Sequence, residues 1–192
     1  MGFEEGSLVT KGKSSRQQER RSRGGLSYLL FLPHGYGKRA GDKWPLILYL
    51  HGIGERGDKL KALKKHGIPK IVERATDFPF ITVSPQCPDE TFWWDHLQAL
   101  RGLIDEFVSG YDIDAARVYL TGNSMGGYGV WKLAMEFPGI FAAIAPICGG
   151  GDPSKVCVLK DVPVWAFHGD RDDVVDPKES EKMVDALLAC GG

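Results

Sequence analysis

Three stretches of the chain combine residue types that do chemistry: "TGNSMGG" at 121–127, "HGIGERG" at 51–57 and "HGDRDDVVD" at 168–176. In the first, Ser124 stands between Gly122 and Gly126 in the pattern G-x-S-x-G. A serine whose hydroxyl projects from the junction of a strand end and a helix start takes a strained backbone conformation. Residues two places away come close to it, so glycine there avoids a side-chain clash. The following helix points its N-terminus at the serine and favours developing negative charge. The backbone N–H of Met125 is then placed to donate to an oxyanion. The chemistry this predicts is acyl transfer. The spacing alone also fits a glycine-rich turn with an incidental serine. Here, however, "RVYLTG" (117–122) reads as a strand and "MGGYGVWKLAMEFPG" as a helix ending before Pro138, which is the context the chemistry requires.

The second stretch supports two readings. Gly52, Gly54 and Gly57 satisfy G-x-G-x-x-G after a strand, the dinucleotide-binding fingerprint, which would imply an NAD-dependent oxidoreductase. That fingerprint expects an acid about 20 residues on, at the end of the next strand. The chain has Val83-Ser84-Pro85-Gln86 there. The motif also lies in the second buried strand unit rather than at the start of the fold. Alternatively the turn provides a second oxyanion donor from the loop after an earlier strand, through the N–H of Ile53. On that reading His51 is structural, hydrogen-bonding backbone at the strand end, and not a proton carrier.

These motifs need a scaffold. "LSYLLFLP" (26–33), the buried run of "WPLILYLHG", "FPFITVSP" (78–85), "FAAIAPICGG" and "VPVWAFHG" read as strands. Lys59 to Val72 has helical character broken by Gly67 and Pro69. In "LQALRGLIDEFVSGYDID", Leu100, Leu103, Ile104, Phe107 and Val108 share one helical face, and Gly110 stops the helix. The last helix is announced by Asp176 as cap, Pro177 at the first position and Glu179 completing a capping box. Strands alternating with helices predict an α/β fold with a mainly parallel sheet.

The bulk numbers fit one soluble domain. The 192 residues are 43% hydrophobic and 26% charged, with a net charge of -1, so no global field draws the chain to nucleic acid or acidic membranes. No apolar run approaches the roughly 20 residues of a membrane span. The first thirty residues have no signal-peptide apolar core, which predicts a cytoplasmic chain as written, although a chain that begins after a removed signal would look the same. Residues 1–25 are read as a polar segment, partly disordered, with Lys11, Lys13, Arg16, Arg20, Arg21 and Arg23 solvated; Ser7 to Val9 could add an edge strand. Cys87, Cys148, Cys157 and Cys190 include no C-x-x-C pair, so no zinc site is expected. They are read as reduced thiols, with a Cys148–Cys157 disulfide as the alternative.

With these residues in place, the chain resembles the α/β-hydrolase superfamily. More narrowly, it is similar to the phospholipase/carboxylesterase and "predicted peptidase" branch near polyhydroxybutyrate-depolymerase-like esterases. The matching pieces are "YLLFLPHGYG", "WPLILYLHGIGERG", "FITVSPQCP", "WW", "YDIDAARVYLTGNSMGGYGVW", "FAAIAPICGGGD" and "VPVWAFHGDRDDVV", which run in the family's order through residues 26–192. The resemblance implies an α/β-hydrolase fold with helices on both faces of a twisted sheet. It implies a serine, acid, histidine triad in that chain order, with Ser124 as nucleophile. The H-G-x-x-D-x-x-V pattern falls on His168, Gly169, Asp172 and Val175, so Asp172 is the expected acid; Asp170, Asp173 and Asp176 compete. Asn123 departs from the apolar residue that relatives carry before the serine.

The family's histidine follows one further strand, and the resemblance places both beyond Gly192. His34, His66, His96 and His168 are not expected to replace it, His96 beside Trp93 and Trp94 being the least implausible. Loss of such a histidine costs on the order of 10⁶ in kcat. The expectation is therefore a truncated serine hydrolase of carboxylic esters, weak or inactive as this chain, with the unpaired sheet edge favouring association. It needs no metal and no cofactor, and acts on a small-molecule or polymeric ester. Trp93, Trp94 and Tyr128 are possible pocket residues, with the core as the alternative for each. A non-catalytic binding protein built on the same fold is the second expectation.

Overall fold

The computed structural model describes residues 17–22, 25–75 and 77–192. The possible strand at Ser7 to Val9 lies outside them. Six strands form one sheet: β1 (Gln18–Arg21), β2 (Ser27–Phe31), β3 (Trp44–Leu50), β4 (Ile81–Pro85), β5 (Ile113–Asn123) and β6 (Ala143–Ile147). Their order is β1-β2-β4-β3-β5-β6. The β4-β3-β5-β6 part is parallel and β1 and β2 are antiparallel additions at one side. The helices are α1 (Gly67–Val72), α2 (Leu97–Gly110), α3 (Met125–Glu136) and α4 (Lys178–Ala189). Short 3-10 turns occupy Ile53–Glu55, Leu60–Lys65, Trp93–Asp95 and Pro153–Leu159.

Alternation along β2 explains how the sheet is covered on two sides. Tyr28 and Leu30 face the main core, where Tyr28 meets the Phe107 ring of α2 edge-on at 5.4 Å. Leu29 points the other way and packs with Leu60 and Leu63 of the turn before α1. The face of α2 read from the sequence is buried through Leu100, Leu103, Ile104 and Phe107. Leu46, Leu48 and Leu50 of β3 and Val118 and Leu120 of β5 complete the centre of the core.

Several expectations need correction. Within the polar 1–25 segment a strand is expected at Ser7 to Val9, whereas Gln18–Arg21 is the stretch seen to pair, with β2, in a hairpin closed by Ser22 N–H to the Leu26 carbonyl. Charged residues suit that edge, since they discourage further strand pairing. "VPVWAFHG" meets β6 through two parallel bridges, Ile144 with Val164 and Ile147 with Phe167, and not as a continuous strand. Trp165 and Phe167 donate N–H to the carbonyls of Ile144 and Pro146, each at 3.0 Å. Pro146 has no N–H to return to Trp165, so the ladder is interrupted there.

The expectation of reduced thiols holds for two of the four cysteines, and the alternative Cys148–Cys157 pairing does not form. Cys157 and Cys190 are disulfide-bonded, with Cα atoms 5.5 Å apart, and Cys87 and Cys148 are free. The fold brings the end of α4 over the 153–159 turn, a proximity that no local spacing reveals. At the start of α4, Asp176 Oδ1 accepts the Lys178 N–H at 3.0 Å, as a cap should. Glu179 completes no capping box and pairs with Lys182 at 3.1 Å instead.

Candidate active site

β5 ends at Asn123, α3 begins at Met125, and Ser124 between them has φ 54° and ψ -121°. That left-handed conformation is costly for a residue with a side chain and persists only where its surroundings enforce it. Close packing of backbone enforces it here. A Cβ on Gly122 would lie 2.5 Å from the Leu50 carbonyl oxygen, and one on Gly126 would overlap the same oxygen. Ser124 N–H donates to the Ile147 carbonyl at 2.9 Å, fastening the turn to the end of β6.

The two expected oxyanion donors occupy the first positions of their turns. Met125 opens α3 and Ile53 opens the 3-10 turn after β3, so no carbonyl within those turns accepts either N–H. Ile53 is half exposed. The Gly52–Gly57 run leads into this short turn and the next α-helix starts only at Gly67, so the glycines open no helix at which a pyrophosphate would sit.

His51 lies beneath this turn and is 1% exposed. Its Nε2 accepts the Cys87 N–H at 2.9 Å, which leaves Nδ1 as the donor to the Gly52 carbonyl at 2.6 Å. Burial pushes its pKa down to about 4, so the ring is neutral with both nitrogens engaged. The structural role expected for His51 holds. Trp93 is fully buried and donates its indole N–H to the His51 carbonyl at 2.9 Å, which places it in the core beneath the turn.

In the acid loop, Asp172 Oδ1 accepts the N–H groups of Val174 and Val175, both at 3.0 Å. These bonds hold its carboxyl below the usual range, and His168 beside it adds to the effect. Asp176 is committed to the helix cap. Asp170 and Asp173 are exposed.

The free thiol of Cys148 lies between the serine turn and this loop. Burial pushes it up, a contact with the Ser124 backbone opposes that, and the Asp172 charge adds to the rise. Tyr128 lies on the same side: burial raises its hydroxyl, and Glu179 and Cys148 contribute. Cys148, with φ 42°, entered the sequence reading only as the alternative disulfide partner of Cys157; its position just after β6 was the available signal for a place at the site.

The other histidines are occupied elsewhere. His168 Nδ1 meets Ser180 Oγ at 2.7 Å and Nε2 meets the Val175 carbonyl at 2.9 Å. His96 contacts Thr91 Oγ1 at 2.8 Å, His34 contacts Lys38 at 2.9 Å, and His66 lies 3.6 Å from Glu55. Among the described residues, no histidine hydrogen-bonds Ser124. No group of three or more metal-ligating side chains is found among them either.

Two further links were not legible beforehand. Tyr49 donates its hydroxyl to Asn123 Oδ1 at 2.5 Å, so the polar residue before the serine has a partner 74 positions away. Ser180 donates to the Gly149 carbonyl at 2.9 Å while touching His168, joining α4 to the acid loop and the end of β6.

This fold is that of the α/β-hydrolases, and the chain's relatives are esterases and polyester depolymerases. No family model matches the chain. A bifunctional acetylxylan esterase/xylanase of Neocallimastix patriciarum is 29% identical over 143 residues, which is 71% of this chain and 20% of that protein. A poly(3-hydroxyoctanoate) depolymerase of Pseudomonas fluorescens is 28% identical over 145 residues, 64% of this chain and 52% of that protein. Among solved structures, a thermostable esterase superposes with a TM-score of 0.75 at 34% identity, covering 92% of this chain and 52% of that one. The chain thus spans between a fifth and about half of the length of these relatives.

Proposed function

We propose that the protein is a serine hydrolase of carboxylic esters working through an acyl-serine intermediate. The observation that carries this reading is the strained Ser124 at the start of α3, enforced by backbone packing against Gly122 and Gly126. The Ser124 oxygen attacks the ester carbonyl carbon as its proton passes to a general base, and the Ile53 and Met125 N–H groups receive the oxyanion. Collapse of the tetrahedral intermediate expels the alkoxide, which takes that proton back from the base and leaves as the alcohol. Water then hydrolyses the acyl-serine. Asp172, fixed by two backbone N–H groups, orients the base and balances its charge. Trp94 and Tyr128 border the substrate side, while Trp93 supports the turn from below. The reading requires neither metal nor cofactor.

The proton acceptor is the part that the five histidines of this chain do not furnish. Free imidazole should therefore stimulate p-nitrophenolate release from p-nitrophenyl acetate by the native chain well above its effect on Ser124→Ala. Equal stimulation of both would favour the second reading, a binding protein on the same fold, which the full engagement of His51 and His168 also suits.

No helix among the described residues is long and apolar enough to cross a membrane. For the compartment, the Cys157–Cys190 disulfide supports an oxidising environment over the cytoplasm expected from the sequence.

A further inference from the structure

The Asp172 loop, α4 and the end of β6 meet at one ring that the acyl-transfer chemistry does not use, that of His168. Its side chain is 8% exposed. Nδ1 lies 2.7 Å from Ser180 Oγ, and Nε2 lies 2.9 Å from the Val175 carbonyl oxygen. Asp172 Oδ2 is 3.6 Å from the same Nε2. Ser180, itself buried, donates its hydroxyl to the Gly149 carbonyl at 2.9 Å.

The available protons fix the state of the ring. A carbonyl oxygen only accepts, so Nε2 must carry a proton to meet Val175. A serine hydroxyl has one proton to give, and Ser180 gives it to Gly149. Its oxygen is then left to accept from Nδ1, so Nδ1 carries a proton as well. Were the Nδ1 proton absent, two acceptors would face each other. They would be Nδ1 and Ser180 Oγ at 2.7 Å, or Ser180 Oγ and the Gly149 oxygen at 2.9 Å. In a buried place an acceptor left without a donor is costly. A ring with both protons is a cation, and Asp172 supplies the opposite charge. Among the described residues, Asp172 is the carboxylate that faces the ring; Glu179, next to Ser180 on α4, turns to Lys182.

The same bonds tie the acid to the nucleophile turn. Val175 is held from both sides, its N–H on Asp172 Oδ1 and its carbonyl on His168. Gly149 is pressed so closely on α3 that a Cβ there would overlap the backbone of Gly127 and Tyr128. The Tyr128 N–H in turn donates to the Ser124 carbonyl at 3.1 Å. We propose that His168 is an imidazolium that positions Asp172: it donates to Val175 and Ser180, is paired with the Asp172 carboxylate, and holds the acid loop in register with Ser124. The bearing on catalysis rests on the hydrolase reading, whereas the state of the ring does not.

The test reads the ring directly. Native chain labelled with 15N-histidine is followed at neutral pH by two-bond 1H–15N correlation, His168 being assigned by its absence from His168→Gln. Two N–H signals from this one ring are expected. Ser180→Ala removes the Nδ1 acceptor and Asp172→Asn removes the counter-charge, so each should leave one signal, while Ser180→Thr should keep both. Imidazole-stimulated, Ser124-dependent release of p-nitrophenolate should fall about tenfold in Ser180→Ala and return in Ser180→Thr, as expected for a displaced acid. A single N–H on His168 in the native chain, two signals that persist in either Ser180→Ala or Asp172→Asn, or an unchanged stimulated rate in Ser180→Ala would overturn the proposal. The native spectrum decides by itself where a variant does not fold. Two N–H signals in a native chain without Ser124-dependent release would remove the hydrolase reading and leave the imidazolium standing.

Discussion

The Ser124 N–H reaches the Ile147 carbonyl at 2.9 Å, and this bond joins the candidate nucleophile to the end of β6, against which Phe167 bridges just before the acid loop. On its other side the same turn is pressed against Leu50 through Gly122 and Gly126. The strained serine is therefore held between two strand ends, and its geometry should be sensitive to any atom added between them.

Gly126→Ala is expected to destabilise the fold by roughly 1–3 kcal/mol, because the new methyl has only backbone to displace. Gly102 provides the contrast. It lies inside α2 with nothing within 4 Å of a hypothetical Cβ, so Gly102→Ala should stabilise by about 0.5–1 kcal/mol. Urea midpoints at constant slope measure both.

Acid should weaken the fold through His51 before it does so through most carboxylates. The folded ring titrates near 4 against an ordinary 6.5, so between those values the unfolded chain holds a proton that the folded one lacks. Stability is then complete above about pH 6.5, falls as the pH drops toward 4, and loses nothing more from this group below that. The full effect is on the order of 3 kcal/mol. His51→Gln should lower stability at pH 7 yet show a flatter profile through this window in denaturant titrations. An unchanged slope would mean that the ring is protonated in the folded protein.

Cutting the Cys157–Cys190 link should cost about 4 kcal/mol, given the 33 residues that separate its ends. Non-reducing peptide mapping should recover the two cysteines in one product. Cys190→Ser should lower the denaturant midpoint, and a reductant should shift the native chain by a similar amount while leaving the variant unmoved.

How much of this was legible beforehand depended on the range of the signal. The strand-to-helix turn at Ser124, the α2 face and the Asp176 cap are local patterns, and each appears where the spacing placed it. His51 could be read as structural because a strand-end histidine has backbone within reach. The hairpin at Gln18–Arg21 was missed because its edge position tolerates a sequence with no apolar face. The interrupted pairing of "VPVWAFHG" follows from one proline on the neighbouring strand, invisible from the segment itself. The Tyr49–Asn123 bond and the Cys157–Cys190 link join residues that only the tertiary fold brings together. Asn123, a departure when read along the chain, is in the fold a hydrogen-bonded partner.

The central claim is that Ser124 is an acylating nucleophile. It is tested most directly by incubating the native chain with a fluorophosphonate, with and without imidazole, and mapping the modified peptide by mass spectrometry. The account predicts a covalent adduct on Ser124 that forms faster when imidazole is present and is absent from Ser124→Ala. An unmodified Ser124 after prolonged incubation with imidazole, or equal labelling of the native chain and Ser124→Ala, would contradict it.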